Sequence, residues 1–154
     1  MKKLILVAAL AASAIGMNTA ANAATASGTF DVTINLTSVC VLGTVAPVAF
    51  TYTSFGSAAT GTGGGFNVKC TNTLPFKIGF TNAATPAVSE TVTDQAVSLA
   101  YTLGLSAATG TGTGVDQSFS VTGTMAANQA GTCATGTCTN SASTNKQRTL
   151  YVSY

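Results

Sequence analysis

The residues with the greatest capacity for covalent chemistry are four cysteines, Cys40, Cys70, Cys133 and Cys138. An even number of cysteines behind a secretory leader indicates disulfide bonds. Three pairings are possible, and we favour Cys40–Cys70 together with Cys133–Cys138. The spacing of the second pair is also that of half a zinc site, but the chain has no histidine and no second close pair to complete one. We therefore expect disulfides and no metal.

Catalysis has little support in the sequence. Without histidine, neither a Ser–His nor a Cys–His pair can form. The acidic residues Asp31, Glu90, Asp94 and Asp116 are scattered, and only Glu90 and Asp94 lie close together. A carboxylate pair can hydrolyse glycosides, but the surrounding residues, SETVTD, predict solvated side chains. We expect a protein that is not an enzyme and that has no cofactor.

Two glycine-rich stretches, Gly61–Gly65 and Gly110–Gly114, could be taken for phosphate-binding loops. Neither is followed by Gly-Lys-Ser/Thr or by a helical pattern, which such a loop requires. We interpret both stretches as loops between strands.

The N-terminus predicts export. Met1-Lys2-Lys3 is positively charged, Leu4–Ile15 is apolar, and Ala21-Asn22-Ala23 is a small-residue cleavage site. Residues 1–23 are therefore predicted to be a signal peptide. The alternative is an uncleaved anchor, for which the apolar run is short. No later segment is long and apolar enough to span a membrane as a helix, so we expect none after cleavage.

The charge of the exported part argues against nucleic acid as a partner. Four basic residues remain there, matched by four acidic ones, so the net charge is near zero. No basic patch exists to neutralise phosphates. A surface with so little charge does little to keep identical molecules apart, which suits a protein that associates.

The elements that must position these residues are strands. Short β-rich runs alternate with Gly-, Thr-, Ser- and Asn-rich loops, and helical periodicity is absent. The pattern predicts an antiparallel β-sandwich in one domain. The candidate strands are 29–38, 40–50, 65–71, 75–82, 87–93, 96–105, 116–125 and 147–154.

Apolar and polar residues alternate in two segments, one near each end of the chain. Phe30, Val32, Ile34 and Leu36 form one apolar face near the N-terminus, and Leu150, Val152 and Tyr154 form another at the C-terminus. An ordinary immunoglobulin-like sandwich would have one more strand after the second segment. The sequence therefore raises the possibility of an incomplete sandwich together with an unassigned strand.

Five segments of the chain form a recognisable series, in the order Phe30–Leu36 (FDVTINL) before Cys40, Phe66–Asn72 (FNVKCTN), Tyr101–Leu103 (YTL), Gly123–Gln129 (GTMAANQ) and the last strand ending in Tyr154. In these segments the chain resembles the spore coat protein U family, which includes the major subunits of archaic chaperone–usher pili. It departs from the family pattern at Lys146-Gln147-Arg148, where the family often has Tyr-x-Asp, and in having the Cys133–Cys138 pair.

The resemblance implies an incomplete immunoglobulin-like antiparallel β-sandwich that is completed by a donated strand from a neighbouring subunit. Residues 24–38 are then an N-terminal donor strand, and residues 39–154 are the pilin domain. Phe30, Val32, Ile34 and Leu36 are expected to enter the neighbour, while Leu150, Val152 and Tyr154 help to form the acceptor groove. The implied partners are identical subunits, a periplasmic chaperone and an outer-membrane usher, in a surface pilus that serves adhesion and biofilm formation.

Two alternatives remain open from the sequence. The chain could be a secreted, self-contained sandwich that binds a ligand through its loops, although it has no tryptophan and no aromatic cluster that would mark a sugar platform. It could also be a spore or cell coat protein. A self-contained module is expected to be a stable monomer, whereas a pilin polymerises, aggregates or requires its chaperone.

Overall fold

The structure is a computed structural model that describes residues 25–81, 84–140 and 146–154. The predicted signal peptide lies outside these ranges. The chain divides into two units, Met1–Asn35 and Leu36–Tyr154. In the described part of the first unit no strand is assigned and every residue is exposed. The described part of the chain contains no helix with the length and apolar character needed to cross a membrane.

The second unit is built from short strands that all pair antiparallel, which confirms the all-β prediction. The strands are β1 Cys40–Leu42, β2 Val48–Ala49, β3 Ala59–Gly63, β4 Gly65–Cys70, β5 Pro75–Gly79, β6 Ser89–Asp94, β7 Leu99–Leu105, β8 Thr109–Thr111, β9 Gln117–Met125 and β10 Tyr151–Ser153.

The larger of two sheets is organised around β9. On one side β4 pairs with the first half of β9 and β3 with the second half, while β7 pairs with β9 on the other side. The outer positions are taken by β1 beside β4, β2 beside β3, and β6 beside β7. The smaller sheet has the order β10-β5-β8. This arrangement is consistent with an immunoglobulin-like sandwich.

The core lies between the sheets and is supplied mainly by β4 and β5. In β4 the buried residues Phe66, Val68 and Cys70 alternate with exposed ones, and in β5 Phe76 and Ile78 do the same. Period-two alternation places one face of each strand in the core. Phe80, Leu103 and Val121 complete this cluster.

The structure corrects part of the interpretation of the two glycine-rich stretches, because Gly64 and residues 112–114 lie between strands as predicted and other residues of the stretches do not. Gly61–Gly63 belongs to β3, and Gly110 lies within β8, where loops were predicted. The low strand propensity of glycine is misleading at these positions, because aromatic rings need the space that a missing side chain leaves. A Cβ on Gly110 would overlap the ring of Phe76, and one on Gly61 would collide with Val48.

Three predicted strands also differ from the structure. The predicted strand 147–154 is assigned only over Tyr151–Ser153. The predicted strand 40–50 is split into β1 and β2, with Pro47, which lacks an N–H, between them. Between β1 and β2 the chain stays along the sheet edge, since the Ala46 N–H donates to the Gly65 carbonyl at 2.8 Å. Residues 29–38 carry no strand assignment. A single extended segment has no ladder of hydrogen bonds until it meets a partner strand, so alternation alone does not make it a strand.

Candidate functional site

A cavity of about 610 Å³ opens between the two sheets, within the second unit. One side is formed by the segment Val45–Phe50, which includes β2, and the other by residues 146–150, which lead into β10. The floor consists of apolar side chains from the inner faces of β7 and β9, namely Leu99, Tyr101, Leu103, Val121 and Met125. The cavity is therefore a mainly apolar site flanked by two edges of the sandwich.

Glycine shapes the floor of this cavity. Gly123 stands between Val121 and Met125 on β9, and a Cβ there would overlap the ring of Phe50. That ring packs against Tyr101 with a centroid distance of 5.6 Å. The missing side chain thus lets an aromatic residue from the side wall lie close to the sheet.

Both edges beside the cavity have backbone available for pairing. Among the described strands β10 pairs only with β5, and β2 pairs only with β3. An unpaired edge presents a row of N–H and C=O groups that can accept another strand. The cavity thus combines apolar pockets with pairing groups along its sides, which are the two requirements for binding an extended chain.

The predicted acceptor residues lie in three different settings. Leu150 is half-buried and lines the cavity. Val152 is half-buried, lies opposite Ile78 across the β10–β5 pair, and packs against the core. Tyr154 is exposed and lines a separate depression that also contains Lys77. The roles of all three in strand binding stay predictions.

The predicted donor residues present their apolar face to solvent. Phe30, Val32, Ile34 and Leu36 are 85%, 71%, 83% and 79% exposed, respectively. Isolated exposed apolar residues are common, but four on one alternating face form a surface that can be buried by association. Their insertion into a neighbour stays a prediction.

Both predicted disulfides are confirmed. Cys40 and Cys70 are directly opposite in the β1–β4 pair and are joined by a disulfide. Cys133 and Cys138 close a short, exposed ring in the loop after β9. Cys138 also lines the cavity, together with Thr139 and Asn140.

The prediction that Asp94 is solvated is wrong. Asp94 is 2% exposed and lines the cavity. Its Oδ1 accepts hydrogen bonds from the N–H groups of Ala96 at 2.8 Å and Val97 at 3.1 Å. Its Oδ2 accepts one from Asn140 Nδ2 at 2.9 Å. A buried carboxylate is tolerated when it is hydrogen-bonded in this way, and the short polar side chain at a turn was the signal for it.

Gln129 is a structural residue whose role the sequence interpretation missed. Its Oε1 accepts a hydrogen bond from the N–H of Ala100 at 2.6 Å, and its Nε2 donates to the Ala100 carbonyl at 2.8 Å. The side-chain amide therefore pairs with β7 as a strand backbone would. Its place at the end of the Gly123–Gln129 motif was the available signal.

A cation lies over the floor of the cavity. The Arg148 guanidinium is 5.7 Å from the centre of the Tyr101 ring. Burial raises the pKa of the Tyr101 phenol, while the charge of Arg148 and a hydrogen bond from it act in the opposite direction. Arg148 belongs to the segment Lys146-Gln147-Arg148, at which the sequence departs from the pattern of the family that it resembles.

The described residues contain no cluster of three or more Cys, Asp or Glu side chains suited to a metal ion. In chemical terms the cavity offers apolar contact, backbone pairing along two edges and one polar end. These properties suit the binding of an extended polypeptide.

Comparison with known proteins identifies the family of the chain. A search of curated proteins and a search of solved structures returned no match. The family model described as Spore Coat Protein U domain matches residues 26–152, which is most of the chain. The chain therefore belongs to the spore coat protein U domain family.

Proposed function

We propose that this protein is a structural subunit of a surface pilus of the archaic chaperone–usher type, and that it polymerises by strand donation. The observation that carries the proposal is the apolar cavity between Val45–Phe50 and residues 146–150, with unpaired strand edges beside it. The family consists of structural pilus and coat proteins, which supports an assembly role over an enzymatic one. The occupant we assign to the cavity is residues 28–38 of a second copy.

The length and character of the donor segment support this assignment. From Phe30 to Leu36 an extended chain covers about 20 Å and presents all its apolar residues on one face. Burial of these side chains is worth roughly 1.5–3 kcal/mol each, or on the order of 6–12 kcal/mol before the cost of ordering the segment is subtracted. Backbone pairing along the β10 edge adds register and specificity.

The apolar cavity explains the need for a chaperone in this proposal. An apolar groove beside an open strand edge is an aggregation hazard. A periplasmic chaperone that fills the groove removes the hazard until an outer-membrane usher replaces it with the next subunit's donor strand. The disulfides and the family are consistent with an exported, surface-associated protein. Adhesion and biofilm formation are the functions we propose for the filament.

The family's name favours a second candidate, a coat-like assembly at a spore or cell surface. The same strand exchange would build either structure. Electron microscopy of the assembled material would distinguish thin filaments from a continuous layer.

The decisive experiment compares two substitutions on opposite faces of the donor segment. Ile34→Asp is expected to abolish filament formation, because the carboxylate would have to enter the apolar cavity of a neighbour. The domain itself is expected to keep its thermal melting temperature in the chaperone complex. Thr33→Asp, on the other face, is the matched control and is expected to assemble. Unfolding of the Ile34→Asp domain, or normal filaments from it, would contradict the proposal.

A further inference from the structure

One end of the cavity differs in character from the apolar floor. At this end Asp94, Thr139 and Asn140 line the cavity, and Asp94 pairs with Leu99 in the register of β6 and β7. We call Asp94 and residues 138–140 the end wall. The end wall places a buried carboxylate and an amide where the rest of the floor is aliphatic or aromatic.

Hydrogen bonds at both ends of the loop that carries the end wall join it to the β6–β7 hairpin. The Thr132 N–H donates to the Val97 carbonyl at 2.7 Å, and Asn140 donates to Asp94. Between these anchors the Cys133–Cys138 disulfide closes a short ring. A segment that is held twice and cross-linked in the middle has few conformations with which to adjust to an incoming chain.

The donor segment has a polar residue, Ser38, at the end that would lie beside the polar end wall. Period-two alternation puts Ser38 on the same face as Ile34 and Leu36. Ser38 is also the last residue free to be donated, because Val39 is held within its own domain. The Val39 N–H donates to Thr71 Oγ1 at 2.9 Å, and its carbonyl accepts from the Thr71 N–H at 2.9 Å.

Strand direction brings Ser38 to the end wall. Every described strand pair in this protein is antiparallel, and antiparallel pairing is the more stable arrangement per residue. A donor strand antiparallel to β10 places its C-terminal end beside the start of the segment that leads into β10. That start lies at the end wall, since Arg148 lies over Tyr101, two residues from Leu99.

We propose that the end wall sets the register of the donated strand by receiving Ser38 of the neighbouring copy, an inference that rests on the proposed function. A register shifted by two residues would place Leu36 beside Asn140 and the hydrogen-bonded Asp94 carboxylate, where a larger apolar side chain covers the polar groups of Asn140 without offering them a hydrogen bond. Asn140 and the disulfide loop are thus positioning elements for strand exchange.

The test uses polymers of the full mature chain and measures their dissociation half-time in guanidinium. Ser38→Leu is expected to shorten the half-time about tenfold, because the larger apolar side chain meets the polar end wall. Adding Asn140→Leu to the Ser38→Leu chain is expected to lengthen the dissociation half-time again. The half-time of this double variant should lie within about threefold of that of Asn140→Leu alone. Gly28→Leu, on the same face at the other end of the donor, is the matched control and is expected to show no coupling to Asn140→Leu.

The outcomes separate this inference from the proposed function. If the effects of Ser38→Leu and Asn140→Leu simply add, or if coupling appears at Gly28 instead, the end wall does not receive Ser38 and the inference is wrong. If Ile34→Asp polymerises normally in the same assay, the failure lies with strand donation itself. Should Asn140→Leu not fold, Thr139→Leu takes its place in the cycle, with the same expected coupling.

Discussion

The two halves of the sandwich differ in how closely their side chains are packed. Around Phe66, Val68 and Ile78 the sheets are closely packed, and each of these side chains is at most 5% exposed. Around Tyr101 and Leu150 the same two sheets enclose a cavity of about 610 Å³. The packed half is filled mainly by apolar residues of β4 and β5, whereas the open half contains the cavity that Tyr101 and Leu150 line. Under the proposed function, the packed half supports the subunit's own fold and the open half receives a partner strand.

The largest effect is expected in the packed half. Phe66→Ala removes a buried ring that stacks on Phe119 at 5.8 Å, and is expected to cost about 3–5 kcal/mol of unfolding free energy. The loss should be the same with and without a donor peptide of residues 28–38. The measurement is urea unfolding of the mature chain carrying Ile34→Asp, which is designed not to donate its own strand. A loss that depends on the peptide would mean that the two halves are not independent.

Val152→Asp tests the boundary between the halves. Val152 packs against the core from β10, so an unpaired carboxylate there is expected to cost about 3 kcal/mol and to reduce the soluble chaperone-bound form. Ser153→Asp is the control, because Ser153 is on the other face and opposite Lys77. An unchanged yield of the Val152→Asp complex would show that this side chain does not support the subunit.

Leu150→Ala is expected to separate the halves most directly. Leu150 lines the cavity and is half-buried in the empty domain. Its truncation should cost about 2 kcal/mol when the donor peptide is bound, since the side chain is then fully buried, and clearly less in the empty domain. Thermal melting with and without peptide measures both values. Equal losses in the two states would indicate that no strand covers Leu150.

The smallest effect concerns alkaline pH. Burial raises the pKa of Tyr101 in the folded state, so above about pH 10 the folded protein retains a proton that the unfolded chain has released. Stability is therefore unaffected by this group below pH 10 and falls as pH rises above it. Tyr101→Phe is expected to show a shallower decline in the urea midpoint between about pH 8 and 11. A decline as steep as that of the unsubstituted chain would remove Tyr101 as its source.

Much of the fold could be predicted from the sequence because alternation is a local signal. The β-rich run 65–71 predicted β4, and the cysteine count limited the disulfides to three pairings. The strand at Gly110 was missed, because whether a glycine belongs to a loop or to a strand depends on a ring that packs on it from another strand.

The residues of the cavity could likewise be predicted only in part from the sequence. Alternation placed Leu150 on an apolar face, and the family resemblance implied a groove there, but neither predicted the opposite side at Val45–Phe50 or the end wall. The predicted solvation of Asp94 failed because its partners, Ala96, Val97 and Asn140, include a residue far away in the chain. Sequence patterns indicate which face of a strand is apolar, but they do not indicate which strand faces pack against each other.

By itself the sequence determined the all-β class, the alternating faces and the family, since each depends on neighbouring residues or on motifs in fixed order. Only the tertiary structure decided that the sandwich is packed around Ile78 and open beside Leu150, and that a polar wall closes one end of the opening. The reason is physical. Burial and cavity shape are set by contacts between residues distant in the chain, and those contacts exist only after the sheets have come together.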